Sequence, residues 1–324
     1  MSRVLGIGNA LVDIMTRLED DNLLEDLQLP KGSMQLVDIE RAKEIENASK
    51  HLKKSLASGG SAANTIRGLA NLGVETSFIG KVGKDEMGDF FDTDLKKSNI
   101  SPKLILSDNQ TGSATALVSK DSERTFGTFL GAAVELGASD LSLEMFKGYD
   151  YLHIEGYLVQ NHDLIEKALV LAKEAGLKVS LDLASYNVVE DNLDFLQKVV
   201  RDYVDIVFAN EEESKAFTGK SPEESLDILA DLCEIAVVKL GSKGSLIKKS
   251  AETCTAGVIP ANAVDTTGAG DYYAGGFLYG LINNCTLEQC ARIGAILSGN
   301  VIEVIGAQME AERWTEIKKL VKEV

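Results

Sequence analysis

Residues 151–182 read YLHIEGYLVQNHDLIEKALVLAKEAGLKVSLD and contain a strand–helix–strand pattern. A short apolar run at 151–154 leads to an amphipathic stretch at 163–174 and then to a second apolar run at 179–182. The same alternation of short runs and helical patterns continues as far as residue 238. Strands at this spacing, separated by helices, predict a mainly parallel sheet with right-handed crossovers, and therefore the α/β class.

Two stretches interrupt this alternation. Residues 112–130 have period-two patterning on both sides of the polar turn 120–123, which predicts a hairpin, and the section 11–37 also breaks the pattern. A small β element on one edge of the core would form a lid, and an ordinary surface hairpin explains the pattern equally well. Because no linker or repeat divides the chain, we expect one domain over 1–324 with a small β lid from about 11–37 and 103–131.

The charge balance limits the partners. The chain has 324 residues, is 44% hydrophobic, which is enough to bury a substantial core, and has a formal net charge of -17. Such a surface repels the phosphates of nucleic acids, so no nucleic-acid partner is expected. An anionic cofactor can still bind where a local group of backbone N–H donors holds its phosphates.

Cysteine and histidine patterns indicate neither a disulfide framework nor a zinc site. The four cysteines form no C-x-x-C pair, and the three histidines are scattered. The start of the chain lacks the features of a secretion signal, and no apolar run reaches transmembrane length. We therefore expect a cytoplasmic protein without a membrane partner.

The nine residues AVDTTGAGD at 263–271 carry the strongest chemical signal. The small residues Gly268, Ala269 and Gly270 let the backbone pass close to a ligand, and the apolar pattern that follows predicts a helix. Free amides in its first turn would bind phosphate oxygens. Asp271 is then either a partner of the helix dipole or a base that takes a proton from an attacking hydroxyl. We favour the base, because phosphate would otherwise repel a carboxylate placed there.

Residues 265–276 resemble the C-terminal signature of the ribokinase-like (PfkB) family of sugar and nucleoside kinases. Further matches follow the family order along nearly the whole chain, at 59–65 (GGSAANT), 79–88, 210–213, 239–244 and 306–308. The resemblance implies a ribokinase-like three-layer α/β/α fold with a mainly parallel central sheet and a small β-sheet lid. It also implies transfer of the γ-phosphate of ATP to a hydroxyl group, with Gly268, Ala269 and Gly270 as the anion hole and Asp271 as the catalytic base.

Further roles follow from the resemblance on the nucleotide side. Asn210 and Glu213 match the family's N-x-x-E motif, which organises Mg²⁺ and its waters, and Asn210 also suits a helix N-cap. Lys239, Gly241 and Gly244 lie in the loop that lines the nucleotide in the family, although a lysine in a solvated turn would look the same.

Three residues are implied to act near the phosphates. Arg124 matches a lid arginine that reaches phosphate in several members, and a solvated charge in a turn is the alternative. Asp265 and Thr267 resemble the loop that binds a monovalent cation in some members, which adds K⁺ to the expected cofactors ATP and Mg²⁺ for those members alone.

The acceptor is implied to bind near the N-terminal motifs. Gly59, Gly60 and Asn64 hold the acceptor sugar in the family, and one amide side chain can bridge two vicinal hydroxyls. The Asn9 to Asp13 spacing resembles that of adenosine kinases, where the two residues contact the ribose, although Asp13 read by itself suits an exposed strand end.

Two lid residues bear on the choice of acceptor. Met34 and Leu36 lie where adenosine kinases offer groups to the base, and their spacing of two on a strand gives them one face, whether as base contacts or as lid core. The expected acceptor is thus the primary hydroxyl of a nucleoside, with adenosine favoured, and the alternative is ribose, fructose or a related keto-sugar. The lid leaves a monomer and a homodimer open.

Rival classes are less consistent with the sequence. A dinucleotide fingerprint at Gly6 fails because Leu11 replaces its third glycine, and a P-loop ending at Lys220 fails because position 214 is serine. A non-catalytic sensor of nucleotide or sugar is the remaining alternative from another class. Such a sensor would be expected to lose Asp271 or the anion-hole glycines, and this chain has both.

Overall fold

The structure is a computed structural model that describes residues 2–121 and 123–324. Its strands are β1 (Arg3–Ile7), β2 (Leu11–Arg17), β3 (Met34–Leu36), β4 (Lys54–Gly59), β5 (Glu75–Gly83), β6 (Ile100–Ser107), β7 (Gly112–Val118), β8 (Arg124–Phe129), β9 (Tyr151–Glu155), β10 (Lys178–Asp182), β11 (Ile206–Asn210), β12 (Ile235–Lys239), β13 (Ser245–Lys249) and β14 (Glu252–Ala256).

Helices connect most of these strands. They are α1 (Asn22–Asp26), α2 (Ile39–Ala48), α3 (Ser61–Asn71), α4 (Glu86–Lys97), α5 (His162–Glu174), α6 (Tyr186–Asp191), α7 (Leu193–Tyr203), α8 (Glu211–Thr218), α9 (Pro222–Leu232), α10 (Ala269–Ile282), α11 (Leu287–Val301) and α12 (Ala311–Lys322). Short 3₁₀ turns lie at Gly131–Glu135, Ala138–Asp140, Leu143–Met145, Gly156–Gln160 and Gly241–Lys243. None of the helices within the described ranges combines the length and the apolar character needed to cross a bilayer.

The large sheet has nine strands in the order β14-β13-β12-β11-β10-β9-β1-β5-β6. The strands from β12 to β6 pair in parallel, and β13 and β14 add an antiparallel edge. Alternate side chains enter two cores: Val207 packs into a cluster that contains residues of α5 and α7, whereas Phe208 packs into one with residues of α3, α10 and α11. The predicted three-layer α/β/α fold with a mainly parallel sheet is confirmed.

The second sheet has five strands in the order β3-β8-β7-β2-β4. Strands β7 and β8 form the predicted hairpin by antiparallel pairing, and Ser122 in its turn lies outside the described residues. The sheet differs from the predicted lid of 11–37 and 103–131 at two places. Residues 54–59 join it by pairing with β2, and 103–107 belong instead to β6 of the large sheet. Both differences are set by pairing with distant strands, which local periodicity does not reveal.

A buried ion pair fastens the end of β4 to the core. The Asp94 carboxylate accepts hydrogen bonds from the Ser58 hydroxyl at 2.6 Å and from the Ser58 amide at 3.0 Å. Arg67 on α3 is 3% exposed, lies 3.2 Å from the same carboxylate and donates to the Ser58 carbonyl at 2.9 Å. The side chain of Gln308 also donates to Asp94, at 2.8 Å. This cluster therefore joins the small sheet, α3, α4 and the segment after α11.

Candidate active site

Four adjacent parallel strands end on polar residues. Glu155 ends β9, Asp182 ends β10, Asn210 ends β11 and Lys239 ends β12. All four line one cavity of about 1580 Å³, whose opposite wall includes residues of the small sheet. Because single small-molecule sites usually occupy about 300–1000 Å³, this cavity is large enough for two ligands side by side.

The first turn of α10 borders the same cavity. Gly268 is its N-cap, with a φ of 74° in the left-handed region that glycine adopts without strain. It has no side chain that would satisfy the free amides of the turn. Ala269, Gly270 and Asp271 line the cavity, and the partial positive charge of the helix end favours an anion there. The turn therefore has the geometry expected of a phosphate-binding site, and its role stays a prediction.

The Asp271 carboxylate is held by two donors from the start of α3. The Ser61 hydroxyl donates to Oδ1 at 2.7 Å, and the Asn64 amide donates to Oδ2 at 2.9 Å. Burial raises the pKa of Asp271 to about 6, although both hydrogen bonds act in the opposite direction. A carboxyl with that pKa is ionised at neutral pH and yet accepts a proton readily, as a general base must.

Two further polar groups face the cavity without a partner among the described residues. The buried Oδ1 atom of Asn64 accepts no hydrogen bond, and no described group donates to the carboxylate of Asp13. Burial raises the pKa of Asp13 to about 7; Arg67 opposes this effect and Asp271 adds to it. Both groups are acceptors, so a ligand with vicinal hydroxyl donors would satisfy them.

The glycine pair beside these groups is required by space. A Cβ on Gly59 would lie 2.3 Å from Asp13 Oδ2, and one on Gly60 would lie 2.2 Å from the carbonyl oxygen of Asn9. Gly60 also has a φ of 101°, which side chains rarely allow. The pair therefore packs the end of β4 against Asp13 and Asn9.

The residues expected to face a nucleotide form two hydrogen-bonded pairs, Asn210–Glu213 and Asp182–Lys239. Asn210 caps α8: its Oδ1 accepts from the Glu213 amide at 2.9 Å, and Glu213 accepts from the Asn210 side chain at 2.6 Å in return. The Lys239 ammonium donates to Asp182 at 2.7 Å and lies 3.0 Å from the position of a Cβ on Gly270. Burial opposes its charge, but Asp182 and Glu213 raise the pKa of Lys239 above its usual value. Lys239 is thus a largely buried cation beside the first turn of α10, not a solvated turn residue.

The fit to a divalent ion follows from the same residues. Burial raises the pKa of Glu213 to about 7, so its carboxylate would gain from a nearby cation. No group of three or more metal-ligating side chains was found among residues 2–121 and 123–324. The arrangement suits Mg²⁺, which keeps several waters and binds chiefly to nucleotide phosphates.

Arg124, the first residue of β8, contacts the loop that precedes α10. Its guanidinium is 2.5 Å from Asp265 Oδ1 and donates to the Thr267 hydroxyl. Thr267 also lines the cavity. The structure thus brings these three predicted residues together, with the arginine on the carboxylate that was expected to bind a monovalent cation. That carboxylate does not fit K⁺ in this arrangement.

The two ends of the cavity have apolar walls. Met34 and Leu36 are 58% and 63% exposed and share one end of the cavity with Phe126, Val134 and Tyr157. The other end is lined by Gly241, Ser242 and Gly244 of the β12–β13 turn, by Val258 and Ile259 after β14, and by Ala295, Ser298 and Gly299 of α11. A flat apolar group therefore fits the end that Met34 and Leu36 share, and the polar strand ends line the same cavity.

The sequence profile of the pfkB family carbohydrate kinases matches residues 32–314. The chain belongs to this family. As a PfkB kinase it is a phosphotransferase that acts on a hydroxyl group of a sugar or nucleoside.

Three comparisons illustrate the range of its relatives. The crystal structure of adenosine kinase from Sinorhizobium meliloti is 34% identical, with a TM-score of 0.87 and coverage of 98% of this chain and 99% of that chain. An adenosine kinase from Schizophyllum commune is 25% identical over 97% of this chain and 98% of its own length. A 5-dehydro-2-deoxygluconokinase from Geobacillus kaustophilus is 29% identical over 75% of this chain and 78% of its own length.

Sequence reasoning missed two carboxylates of this PfkB kinase. Glu155 accepts from the amide and side chain of Asn9, at 3.2 and 2.6 Å, and from the Ala62 amide at 3.1 Å. Burial raises the pKa of Glu155 to about 7. Asp182 holds Lys239. Both end a buried strand, and that position at the carboxyl edge of a parallel sheet is the signal that could have identified them.

Proposed function

We propose that the protein is an ATP-dependent kinase that phosphorylates the primary hydroxyl of adenosine or a related purine nucleoside. The observation that carries this proposal is the apolar acceptor end of the cavity. The exposed side chains of Met34, Leu36 and Tyr157 can stack against the flat base of a nucleoside, and a free sugar has no base that could stack there. Base stacking on apolar and aromatic groups contributes about 1–3 kcal/mol.

The ribose would bind between this wall and Asp271. Its two secondary hydroxyls are the donors that the Asp13 carboxylate and the Asn64 Oδ1 atom lack. Glu155 fixes this part of the site, since it joins Asn9 to the start of α3. The primary hydroxyl would then face Asp271.

The transfer step uses groups of this chain throughout. The Asp271 carboxylate takes the hydroxyl proton while the hydroxyl oxygen forms its bond to the γ-phosphorus, and the bond from that phosphorus to the β,γ-bridging oxygen breaks to release ADP. The amides of residues 268–271 and the Lys239 ammonium face the charge on the phosphoryl oxygens. Bound Mg²⁺, near Asn210 and Glu213, would neutralise the phosphates.

An ATP-consumption assay across acceptors tests the proposal. We expect turnover with adenosine and weaker turnover with other purine nucleosides, ribose, fructose and 5-dehydro-2-deoxygluconate. Robust turnover of one of the sugars with none of adenosine would establish the alternative sugar-kinase function. Absence of turnover with every acceptor, together with tight nucleotide binding, would favour the non-catalytic sensor.

A matched pair of tyrosines tests the base contact. Tyr157 lines the acceptor end, whereas Tyr186 is similarly exposed but does not line the cavity. Tyr157→Ala should raise the KM for adenosine by about tenfold, the equivalent of one lost stacking contact, and leave the KM for ATP unchanged. Tyr186→Ala should change neither constant. The cytoplasmic location and the choice between monomer and homodimer stay predictions.

A further inference from the structure

Asp265 is a buried carboxylate at the start of the loop that leads into α10. Its side chain is 1% exposed. Oδ1 accepts from the Thr267 amide at 2.7 Å, and Oδ2 accepts from the Gly306 amide at 2.7 Å. The carboxylate therefore fixes the shape of the loop that carries Gly268, and its charge lies close to where a phosphoryl group must bind.

An uncompensated negative charge at this position would oppose phosphoryl transfer. Two like charges repel each other more strongly in a partly buried site than in water. A buried carboxylate also needs a positive partner to offset its loss of solvation. The loop therefore requires a cation beside Asp265.

The small sheet supplies that cation from the chain itself. Arg124 begins β8, and its side chain is 13% exposed. Its Nη2 lies 2.5 Å from Asp265 Oδ1, and its Nη1 donates to the Thr267 hydroxyl. One guanidinium thus contacts both side chains that a monovalent cation was expected to use.

These contacts leave about one lone-pair position on Asp265, and it lies beside a positive charge. A carboxylate offers about four lone-pair positions, and three N–H donors already use positions on this one. The guanidinium would also repel a second cation at contact distance. Thr267 Oγ1 accepts from the same arginine, so it too faces a positive charge.

We propose that Arg124 is a built-in counter-ion of the phosphate-binding loop, and that it replaces the monovalent cation of the K⁺-dependent members of the family. Arg124 is then a positioning residue: it acts through Asp265 and Thr267 on the amides at the start of α10. Phosphoryl transfer is accordingly independent of K⁺. The activity measurements below rest on the proposed kinase function, whereas the melting temperatures can be measured without a substrate.

The first experiment uses the unaltered protein. Its activity and melting temperature are measured in about 100 mM KCl and in about 100 mM choline chloride, which screen charges equally. We expect the two salts to give the same rate within about twofold and the same melting temperature, because a ligand that does not bind shifts neither quantity. Activation by K⁺ of tenfold or more, or a K⁺-specific rise in melting temperature, would overturn the proposal.

The second experiment removes the guanidinium. Arg124→Ala should lose at least about tenfold in activity in choline chloride, the scale of a lost positioning residue. K⁺ at about 100 mM, or guanidinium at about 10 mM, should restore part of that activity and raise the melting temperature of the variant, since both ions can occupy the vacated position. A merely structural role for Arg124 would not create a response to added cations.

Arg17→Ala is the matched control, because Arg17 is an exposed arginine of the same sheet at the end of β2. It should acquire no response to K⁺ or guanidinium. The proposal is overturned if Arg124→Ala responds to neither ion in melting temperature, or if Arg17→Ala responds equally. If adenosine proves not to be the acceptor, the melting temperatures still decide between these outcomes.

Discussion

Asp271 combines two properties that a general base needs. Ser61 and Asn64 fix its two oxygens, and burial keeps its pKa near 6. Both donors come from the first turn of α3, so the position of the Asp271 carboxylate is tied to the helix that Gly60 begins. Hydrogen bonds therefore set the orientation of this carboxylate, whereas burial sets its affinity for a proton.

Replacement of Asp271 by Asn should lower kcat by at least about 10²-fold, because the amide cannot accept the proton of the acceptor hydroxyl. The fold should be retained, since Asn is isosteric and its side-chain oxygen still accepts a hydrogen bond from Ser61 or Asn64. Steady-state kinetics and circular dichroism measure the two effects. Asp231→Asn, at an exposed aspartate on α9, is the control, and normal turnover by Asp271→Asn would exclude the role as base.

Helix α8 depends on Asn210 at its N-terminus. The reciprocal hydrogen bonds between Asn210 and Glu213 form a capping box, which satisfies free amides of the first turn. The same two residues match the motif that organises Mg²⁺ in the family. The cap and the metal role can be separated by experiment, because serine caps a helix but lacks the Asn210 amide.

Asn210→Ala should destabilise the protein by about 1 kcal/mol through loss of the cap, whereas Asn210→Ser should leave the stability nearly unchanged. If Asn210 also orders the Mg²⁺ waters, both variants should lose about tenfold or more in activity at low Mg²⁺ concentration. Urea denaturation and Mg²⁺ titrations of the rate provide the measurements.

Thr286→Ala is the control for the cap alone, since Thr286 and Gln289 form a similar capping box on α11. That variant should lose comparable stability without a change in the Mg²⁺ dependence. Full activity of Asn210→Ser at every Mg²⁺ concentration would limit Asn210 to the cap.

The protein as a whole buries several carboxyl groups that are costly to ionise. Burial raises the pKa values of Asp13, Glu155 and Glu213 to about 7, well above the ordinary values of 3.8 and 4.5. These carboxyl groups line one cavity together with Asp271, so ionisation of one makes ionisation of the others less favourable. The ionised carboxylates of the site thus lower the free energy of unfolding near neutral pH.

The free protein should therefore melt at a higher temperature at pH 6 than at pH 8. Between the unfolded and folded pKa values the folded chain holds protons that the unfolded chain has released, so the free energy of unfolding decreases as the pH rises through about 7. Each group contributes at most about 1.4 kcal/mol between pH 6 and pH 8. Burial lowers the pKa of His153 to about 4, and its opposite effect is confined to pH values below about 6.5.

Differential scanning calorimetry at the two pH values, without ligands, measures this effect. Glu155→Gln should reduce the difference, because an amide cannot release a proton. Glu190→Gln, at an exposed glutamate on α6, should leave it unchanged. A melting temperature that is equal or higher at pH 8 would contradict the assignment.

Much of the fold could be predicted from the sequence, because alternating apolar runs over 151–238 report directly on a buried parallel sheet. The start of α10 was equally visible, since its glycines and Asp271 are contiguous. The pairs Arg124–Asp265 and Asp182–Lys239 were not, because their members lie on different strands and loops far apart in the chain. Strand β4 was not predicted for the same reason, because Lys54–Gly59 forms a strand only by pairing with the distant strand β2.

The two sheets divide the cleft between them, and this has a use in engineering. Under the proposed function, the base of the acceptor contacts Met34 of β3, Leu36 of β3 and Tyr157, whereas Asp271 and Lys239 lie at the start of α10 and at a strand end of the large sheet. Mutant libraries that aim at other bases can thus start with β3, β8 and Tyr157. Any lid transplanted from a relative would, however, have to carry an arginine at position 124, or the recipient would need its counter-ion from the buffer.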